Sequence, residues 1–234
     1  MAEGNDLDEA SREKFPFHKK APVSMIEKVL GACIRSLPST EKVLYLTFDD
    51  GPHESCTPKV LERLSHHQAQ ATFFVVANAL QHHLSTGRSI VAQGHHIGNH
   101  SLDHQYHHFF GNDRYLMNWI GRARDIIEQS LQVHTIGFRS PFGIRTPHLG
   151  IALRKLHYPL VHWNQRFYDT QRGLPQSLLL KRIPQFQSGD ILLLHDTHKQ
   201  NLPSFLEGLE CLLINAHRAG FTFKGLPADM PQRT

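Results

Sequence analysis

The sequence has few cysteines, no long apolar run and no clear segment of charge of one sign. Its three cysteines, Cys33, Cys56 and Cys211, are widely spaced and odd in number, which argues against a disulfide framework and against a cysteine-based zinc site. The longest apolar stretch, from Ala71 to Ala77, is far too short to span a bilayer. The sequence therefore predicts no transmembrane segment.

A basic start followed by an apolar run is also missing from the first thirty residues, so the sequence predicts no signal peptide. A cytoplasmic protein is therefore favoured, and the alternative is an exported protein of which this chain is a processed form.

Charge is nearly balanced, with 25 Lys and Arg against 21 Asp and Glu, a formal net charge of +4. The basic residues are scattered apart from the pair Lys19 and Lys20, whereas a nucleic-acid-binding protein needs them clustered on one face. We therefore expect no nucleic-acid partner. With 234 residues, 40% hydrophobic and 20% charged, the chain is typical of one globular domain.

Histidine is the abundant residue, with 19 copies. Each one is a potential metal ligand, a proton shuttle or only a surface residue. Their number alone predicts no function, so their positions must decide.

We divide the chain into a preamble at residues 1–40, a main domain at 41–226 and a loose tail at 227–234. The preamble carries apolar residues at helical spacing, which predicts one amphipathic helix; they are Met25, Ile26, Val29, Leu30, Cys33, Ile34 and Leu37. Such a stripe is typical of a helix that packs on its own domain, and contact with a membrane surface or a partner helix is the alternative.

The main domain alternates short strand-like runs with helical patterns. Alternation of this kind predicts parallel strands with helices packed outside, in either a barrel or an open sheet. The strand candidates are Val43 to Phe48, Ala71 to Val76, Thr135 to Phe138, Leu160 to Trp163, Asp190 to Leu194 and Phe221 to Phe223.

The first strand candidate ends in two adjacent carboxylates, Asp49 and Asp50, just before Gly51 and Pro52. Asp, Gly and Pro are common turn residues, so a solvated turn is one interpretation. Two carboxylates at the end of a buried strand are costly, however, unless a metal or an arginine compensates their charge.

Four histidines follow one another at intervals of four residues: His96, His100, His104 and His108. Histidines four apart share a face of a helical turn and can bind one metal, but spacing alone cannot select a pair here. A glutamate directly after the first histidine, as in many metalloproteases, is absent.

Three further clusters follow strand candidates: Arg139 to Gly143, Trp163 with Asp169, and His195 with Asp196. Each cluster alone is weak evidence of function, because a buried arginine or a single histidine is often structural. All of the clusters nevertheless fall at the carboxyl end of a strand candidate, the edge where parallel α/β folds build their active sites. Their common placement predicts one catalytic site.

These residues resemble the polysaccharide deacetylases with a NodB-homology domain, carbohydrate esterase family 4. The resemblance runs from about Val43 to Leu226. It comprises Thr-Phe-Asp-Asp-Gly-Pro, His-Ser-x-x-His at residues 100–104, Arg-x-Pro-Phe-Gly at 139–143, and Leu-x-Leu-His-Asp at 192–196. It implies a distorted (β/α) barrel with parallel strands and outer helices, and a metal-dependent enzyme that removes acetyl groups from N-acetylated sugars.

The resemblance also implies a role for each site residue. The metal ligands would be Asp50, His100 and His104, the general base Asp49 and the general acid His195. Arg139 would position the base, and Asp169 would tune the acid. Phe142, Trp163 and Leu193 would contact the substrate.

One divalent metal is implied, with zinc favoured by the mixed ligand set and cobalt, nickel, iron or manganese as alternatives. The expected partner is a carbohydrate: a GlcNAc-containing glycan, an oligosaccharide or a lipid-linked saccharide. The fourth family motif departs from its usual Asp-Trp ending, because Thr170 follows Asp169. An amidohydrolase of the same fold that acts on a non-sugar amide, and a catalytically silent carbohydrate-binding relative, are therefore kept as alternatives.

Overall fold

The computed structural model describes residues 25–197 and 200–230. The polar start through Lys14, the Lys19–Lys20 pair and the last four residues of the predicted tail lie outside these ranges. Within them, no helix is both long and apolar enough to cross a membrane.

Six strands and nine α-helices alternate along this part of the chain. The strands are β1 (Val43–Asp49), β2 (Thr72–Val75), β3 (His96–Asn99), β4 (Gln165–Arg166), β5 (Asp190–His195) and β6 (Thr222–Lys224). The helices are α1 (Met25–Leu30), α2 (Thr57–His66), α3 (Ala77–His82), α4 (Leu84–Ala92), α5 (Asp113–Leu131), α6 (Pro147–Lys155), α7 (Asp169–Arg172), α8 (Gln176–Arg182) and α9 (Leu202–Arg218). Short 3₁₀ turns cover Tyr106–Phe110, Pro141–Gly143 and Ile183–Gln185.

All strand pairs are parallel, in the order β3-β2-β1-β5-β4, with β6 also paired to β1. Strand β1 is buried at every residue, as expected for a central strand covered on both faces. The predicted parallel α/β arrangement is therefore confirmed.

Isolated bridges continue the sheet beyond β3. Phe138 bridges to Asn99 on one side and to Leu160 on the other, and Val161 bridges to Ile34. The same N-terminal segment reaches the far side of the sheet, where Ser36 bridges antiparallel to the first residue of β5. These bridges close the sheet into an irregular barrel.

The two strands expected at 135–138 and 160–163 are thus reduced to isolated bridges. Gly137 in the first has φ +157, and its position is so close to Pro159 that an added Cβ would lie 2.9 Å from the Pro159 carbonyl oxygen. Only one bridge residue, Phe138, pairs on both sides here. The predicted strands at 135–138 and 160–163 were therefore too long.

The predicted helix of the preamble is also shorter than its apolar pattern suggested. It ends at Leu30, because Gly31 takes the left-handed conformation with φ +80 that closes helices. Cys33, Ile34 and Leu37 are buried, but they lie in the extended segment of the barrel wall. The division of the chain at residue 41 stays a prediction.

Side chains of β1 and β5 alternate between the barrel interior and the layer of helices. Tyr45 and Ile191 belong to the interior cluster, whereas Leu46 and Leu192 pack against the helices. The interior cluster also contains Met230 from the predicted loose tail, which is only 5% exposed. The prediction that the tail is loose is therefore wrong as far as Met230.

Candidate active site

Asp49 is the last residue of β1 and lies on the interior side of that strand, in alternation with Tyr45 and Thr47. It is 3% exposed. Its Oδ1 accepts a hydrogen bond of 2.8 Å from Nη1 of Arg139, whose side chain is fully buried. A buried carboxylate needs such a partner, because an unpaired charge costs several kcal/mol in the interior.

Arg139 is held on all sides. It donates to the Thr47 hydroxyl at 2.6 Å and to the backbone carbonyl oxygens of His162 and Val161 at 2.9 and 3.2 Å. Its guanidinium also lies 3.9 Å from the ring centre of Phe74. Burial lowers the pKa of Arg139 and the charge of Asp49 opposes this, but a guanidinium titrates so high that it stays charged. The orientation of Asp49 is therefore fixed.

Asp50, His100 and His104 form the one metal-type cluster found among the described residues, with ligand atoms within 4.8 Å of one another. The Asp50 Oδ1 lies 3.3 Å from the Nε2 of His100 and 3.1 Å from that of His104. Burial alone would raise the pKa of Asp50, but the two imidazoles hold it well below its usual range. The carboxylate is therefore available as a ligand.

The ring of His100 has a defined tautomer when neutral. Its Nδ1 lies 2.8 Å from the Arg139 carbonyl oxygen, which can only accept, so Nδ1 carries the proton. The Nε2 lone pair then faces the Asp50 oxygen at 3.3 Å. Two acceptors at this distance call for a cation or a proton between them, and the donor set fits a divalent metal.

The histidine pair does not lie on a helix, and the helical interpretation of its spacing was wrong. Both residues belong to the loop after β3, where Ser101 and His104 have φ values of 81° and 58°. The loop is fastened by Asn99, whose Oδ1 accepts from the Ser101 N-H at 2.8 Å and whose Nδ2 donates to the Ile120 carbonyl at 3.1 Å. Tight turning in this loop brings the two rings to 5.0 Å.

The other two histidines of the ladder have separate partners. His96 Nδ1 lies 2.6 Å from the Leu226 carbonyl oxygen. His108 Nε2 contacts Asp103 at 2.9 Å, and its Nδ1 contacts the Tyr115 hydroxyl at 2.6 Å. The structure brings neither of them into the cluster.

His195 ends β5 and is bound twice by Asp169, the first residue of α7. The carboxylate accepts from the His195 backbone N-H at 2.8 Å and lies 3.0 Å from the ring Nδ1. Burial alone would lower the pKa of His195, but the hydrogen bond and charge of Asp169, with the charges of Asp50 and Asp49, raise it to about 9. The imidazole is therefore protonated at neutral pH.

The three residues expected to contact the substrate lie near the metal-type cluster or near His195. Phe142 has φ 59, is 62% exposed and places its ring 4.7 Å from that of His104. Trp163 lies against the barrel interior, 5.7 Å from the guanidinium of Arg139. Leu193 is buried in β5, where alternation puts it on the same side as His195.

Comparison with known proteins agrees with this arrangement. The family model described as polysaccharide deacetylase matches residues 36–161. The chain is 32% identical over 162 residues to the peptidoglycan-N-acetylglucosamine deacetylase of Bacillus cereus, covering 68% of this chain and 75% of the relative. The chain belongs to the polysaccharide deacetylase family.

Two further relatives extend the comparison. The chitooligosaccharide deacetylase of Azorhizobium caulinodans is 31% identical over 180 residues, covering 72% of this chain and 80% of its own. The solved structure of the Bc1960 peptidoglycan N-acetylglucosamine deacetylase is 26% identical and has a TM-score of 0.76, covering 87% of this chain and 94% of that one. The expected NodB-homology family and its distorted barrel are therefore confirmed.

The match to the polysaccharide deacetylase model ends before the fourth and fifth motifs. Asp169 and His195 therefore depend on the structure for their assignment to the same site. The mutual contacts of 2.8 and 3.0 Å provide this link, although the fourth motif lacks its usual tryptophan.

Asp196 was seen in the sequence only as half of a titratable pair. In the structure it is fully buried, and its Oδ2 accepts from the Thr57 hydroxyl at 2.5 Å. The Thr57 oxygen in turn accepts from the His53 backbone N-H at 2.8 Å. A Cβ added at Gly51 would lie 2.3 Å from both Asp196 carboxylate oxygens. Asp196 thus packs directly beneath the loop that follows Asp50.

Proposed function

We propose that this chain hydrolyses the acetamide of N-acetylated sugars in GlcNAc-containing glycans, releasing acetate and a free amine. The observation that carries the proposal is the pairing of the buried Asp49–Arg139 contact with the neighbouring Asp50, His100 and His104 cluster. The names of its relatives, deacetylases of peptidoglycan and of chitooligosaccharides, support the same reaction.

The metal site would be formed by Asp50, His100 and His104. Two neutral imidazoles and one carboxylate suit zinc, and also cobalt, nickel, iron or manganese. The chemistry that a divalent metal supplies when bound in such a site is polarisation of a carbonyl group and a lower pKa for water.

Asp49 would act as the general base. Its Oδ1 is occupied by Arg139, whereas its Oδ2 lies 3.7 Å from the Nε2 of His100, on the side of the metal-type cluster. The free oxygen is thus directed to where an attacking water would be held. It would accept the water proton as the oxygen adds to the amide carbon, while the Phe142 backbone N-H donates to the carbonyl oxygen as charge develops there.

His195 would act as the general acid. The C-N bond breaks readily only when the departing nitrogen receives a proton, because an amine anion is a very poor leaving group. The pKa of about 9 keeps the imidazolium charged at neutral pH, and Asp169 fixes the ring through Nδ1. The Nε2 side remains for donation to the nitrogen.

The acetyl group would lie against Leu193 and Trp163. Trp163 packs on the interior cluster 5.7 Å from the guanidinium of Arg139, and Leu193 precedes His195 by two residues on the same side of β5. Thr170 is exposed where the family commonly has tryptophan, so this wall of the pocket is more open.

An acetate-release assay with a substrate panel tests the proposal. The panel contains chitotetraose, a peptidoglycan fragment, free N-acetylglucosamine and a non-sugar acetamide, each with and without chelator. We expect acetate from N-acetylated sugars only when divalent metal is present. Release from the non-sugar acetamide alone would favour the amidohydrolase alternative, and sugar binding without any release would favour a silent relative.

A further inference from the structure

Arg166 occupies a position that the resemblance leaves without a role. It lies in the edge strand β4 and is paired in register with Leu193 of β5, which is itself paired with Thr47 of β1. Residues in register on neighbouring parallel strands point to the same side of a sheet, about 4.8 Å apart. The exposed side chain of Arg166 is therefore on the side of the sheet that carries Asp49 and His195.

Two aromatic rings flank this arginine. The guanidinium carbon lies 4.4 Å from the ring centre of Tyr168 and 5.9 Å from that of Trp163. Trp163 also lies 5.7 Å from the guanidinium of Arg139, which holds the proposed base. An aromatic and cationic wall thus runs from the interior of the site to its open edge.

Over residues 25–197 and 200–230, no carboxylate forms an ion pair with Arg166, and its guanidinium donates no hydrogen bond. The two rings lie within cation–π distance of the guanidinium, and its N-H groups, which have no protein acceptor among these residues, are available to a ligand. This arginine differs from Arg139, whose three side-chain nitrogens each donate to protein oxygens.

The backbone around Arg166 is fixed. Arg182 donates 2.6 Å hydrogen bonds to the Arg166 carbonyl oxygen and to the side-chain oxygen of Gln165. Tyr168 takes a left-handed conformation with φ 56 and is 54% exposed, directly before Asp169, which is bound to His195. A bulky residue rarely adopts this conformation, so the surrounding fold must hold the Tyr168 backbone in it.

We propose that Arg166, between Trp163 and Tyr168, forms a subsite for an anionic group, a carboxylate or a phosphate, on a sugar adjacent to the N-acetyl group under attack. A planar guanidinium fork binds either oxyanion through two parallel hydrogen bonds. The flanking rings supply flat faces against which a sugar ring packs, as aromatic side chains do in many ligand sites. This proposal rests on the proposed deacetylase function and names its substrate class as an anionic glycan.

The test compares matched substrates that differ in charge. The first pair is a GlcNAc-containing oligosaccharide with an ether-linked carboxyl group and the methyl ester of the same compound. The second pair is a chitooligosaccharide with a 6-phosphate group and the same compound without it. Acetate release gives kcat/KM for wild type, Arg166→Gln, Arg166→Lys and the control Arg88→Gln, which alters an exposed arginine on α4.

We expect wild type to prefer at least one charged substrate over its neutral partner by about tenfold, the usual worth of a charge-assisted hydrogen bond. Arg166→Gln should reduce that preference about tenfold, Arg166→Lys should restore part of it, and Arg88→Gln should leave it at the wild-type value. Preference within the first pair identifies a carboxylate, and preference within the second a phosphate. Equal preference in wild type and Arg166→Gln would overturn the subsite.

Equilibrium binding of the four compounds by calorimetry keeps the two proposals distinguishable. If wild type releases no acetate from any compound, the deacetylase proposal fails. The subsite is then decided by whether Arg166→Gln weakens binding of the charged compounds relative to their neutral partners. If acetate is released from all four without charge preference, the subsite fails and the deacetylase proposal stands.

Discussion

Removing the charge of Asp169 should shift the alkaline limb of the pH-rate profile to lower pH. The carboxylate contacts His195 at both the ring and the backbone, and it is fully buried, so solvent screens its charge poorly. In Asp169→Asn the side chain keeps its shape and can still accept from the backbone N-H. What it loses is the negative charge that favours the imidazolium.

The expected shift follows from the pKa. Burial lowers the pKa of His195, whereas the hydrogen bond and charge of Asp169, with the charges of Asp50 and Asp49, raise it to about 9. Relative to the ordinary value near 6.5, this is roughly a 300-fold gain in proton affinity. A metal cation beside Asp50 would offset that residue's charge, which leaves Asp169 as the principal raising influence. We expect the limb to move down by about one to two pH units, the size of shift that a nearby opposite charge commonly causes.

The assay is acetate release from chitotetraose between pH 5 and pH 10 with metal in excess. The acid works in its protonated form, so wild-type activity should fall as pH rises through about 9. The matched control is Asp125→Asn, which removes an exposed carboxylate on α5 and should leave the limb in place. Metal content is measured in parallel.

Stability provides an independent reading of the same contact. Because the folded pKa of His195 is raised, its contribution to stability is fully present below about 6.5 and is lost as pH rises through about 9. Asp169→Asn should therefore unfold at lower urea concentration than wild type at pH 6, and the difference should narrow above pH 9. An alkaline limb that stays in place with metal still bound would refute the reasoning.

Three further predictions concern other parts of the site. His104→Ala should lose bound metal and activity together, whereas His107→Ala, which alters an exposed histidine three residues away, should keep both when metal content and acetate release are measured. Asp49→Asn should retain metal but lose about two to four decades in kcat, the usual worth of a positioned base. Asp50→Asn should instead raise the Kd for metal. The reverse pattern would mean that the roles of the two carboxylates are exchanged. In metal-free protein, burial raises the pKa of Asp196 to about 7. The folded protein then holds a proton that the unfolded chain loses near pH 4, so the free energy of unfolding should fall as pH rises from 4 to 7. Asp196→Asn should flatten this fall in urea titrations. If the pH dependence of unfolding were the same in Asp196→Asn and wild type, this prediction would be contradicted.

The sequence predicts best what depends on local pattern and strand direction. Asp49 and His195 end long apolar runs, and such runs in an alternating α/β chain form parallel strands whose carboxyl ends meet. The structure pairs these two residues in register on neighbouring strands. Their proximity therefore follows from strand ends alone.

The histidine pair was misplaced because a four-residue spacing has more than one structural origin. Ser101 and His104 adopt left-handed backbone conformations, which turn the loop instead of continuing a helix. Histidine adopts that conformation more often than most residues, but still in only a small fraction of cases, so the local sequence does not indicate the turn. The hydrogen bonds of Asn99 that stabilise the loop join it to α5, a partner that is distant in sequence.

Arg166 and the N-terminal segment escaped prediction for a related reason. Strand β4 has only two residues, too few for an alternating pattern, and its pairing with β5 depends on the whole fold. Cys33 and Ile34 fit a helical stripe as well as a barrel wall, and Gly31 decides between the two. Burial and charge partners are tertiary properties that a single sequence does not contain.

Hydrolysis of a sugar acetamide in water labelled with heavy oxygen tests the central claim most directly. Metal-loaded wild type should convert chitotetraose to a product with a free amine and to acetate that carries one labelled oxygen, as mass spectrometry detects. Asp49→Asn, with metal still bound, should form the same products far more slowly. Absence of labelled acetate with the metal-loaded wild-type protein, or an Asp49→Asn rate equal to wild type, would contradict the account.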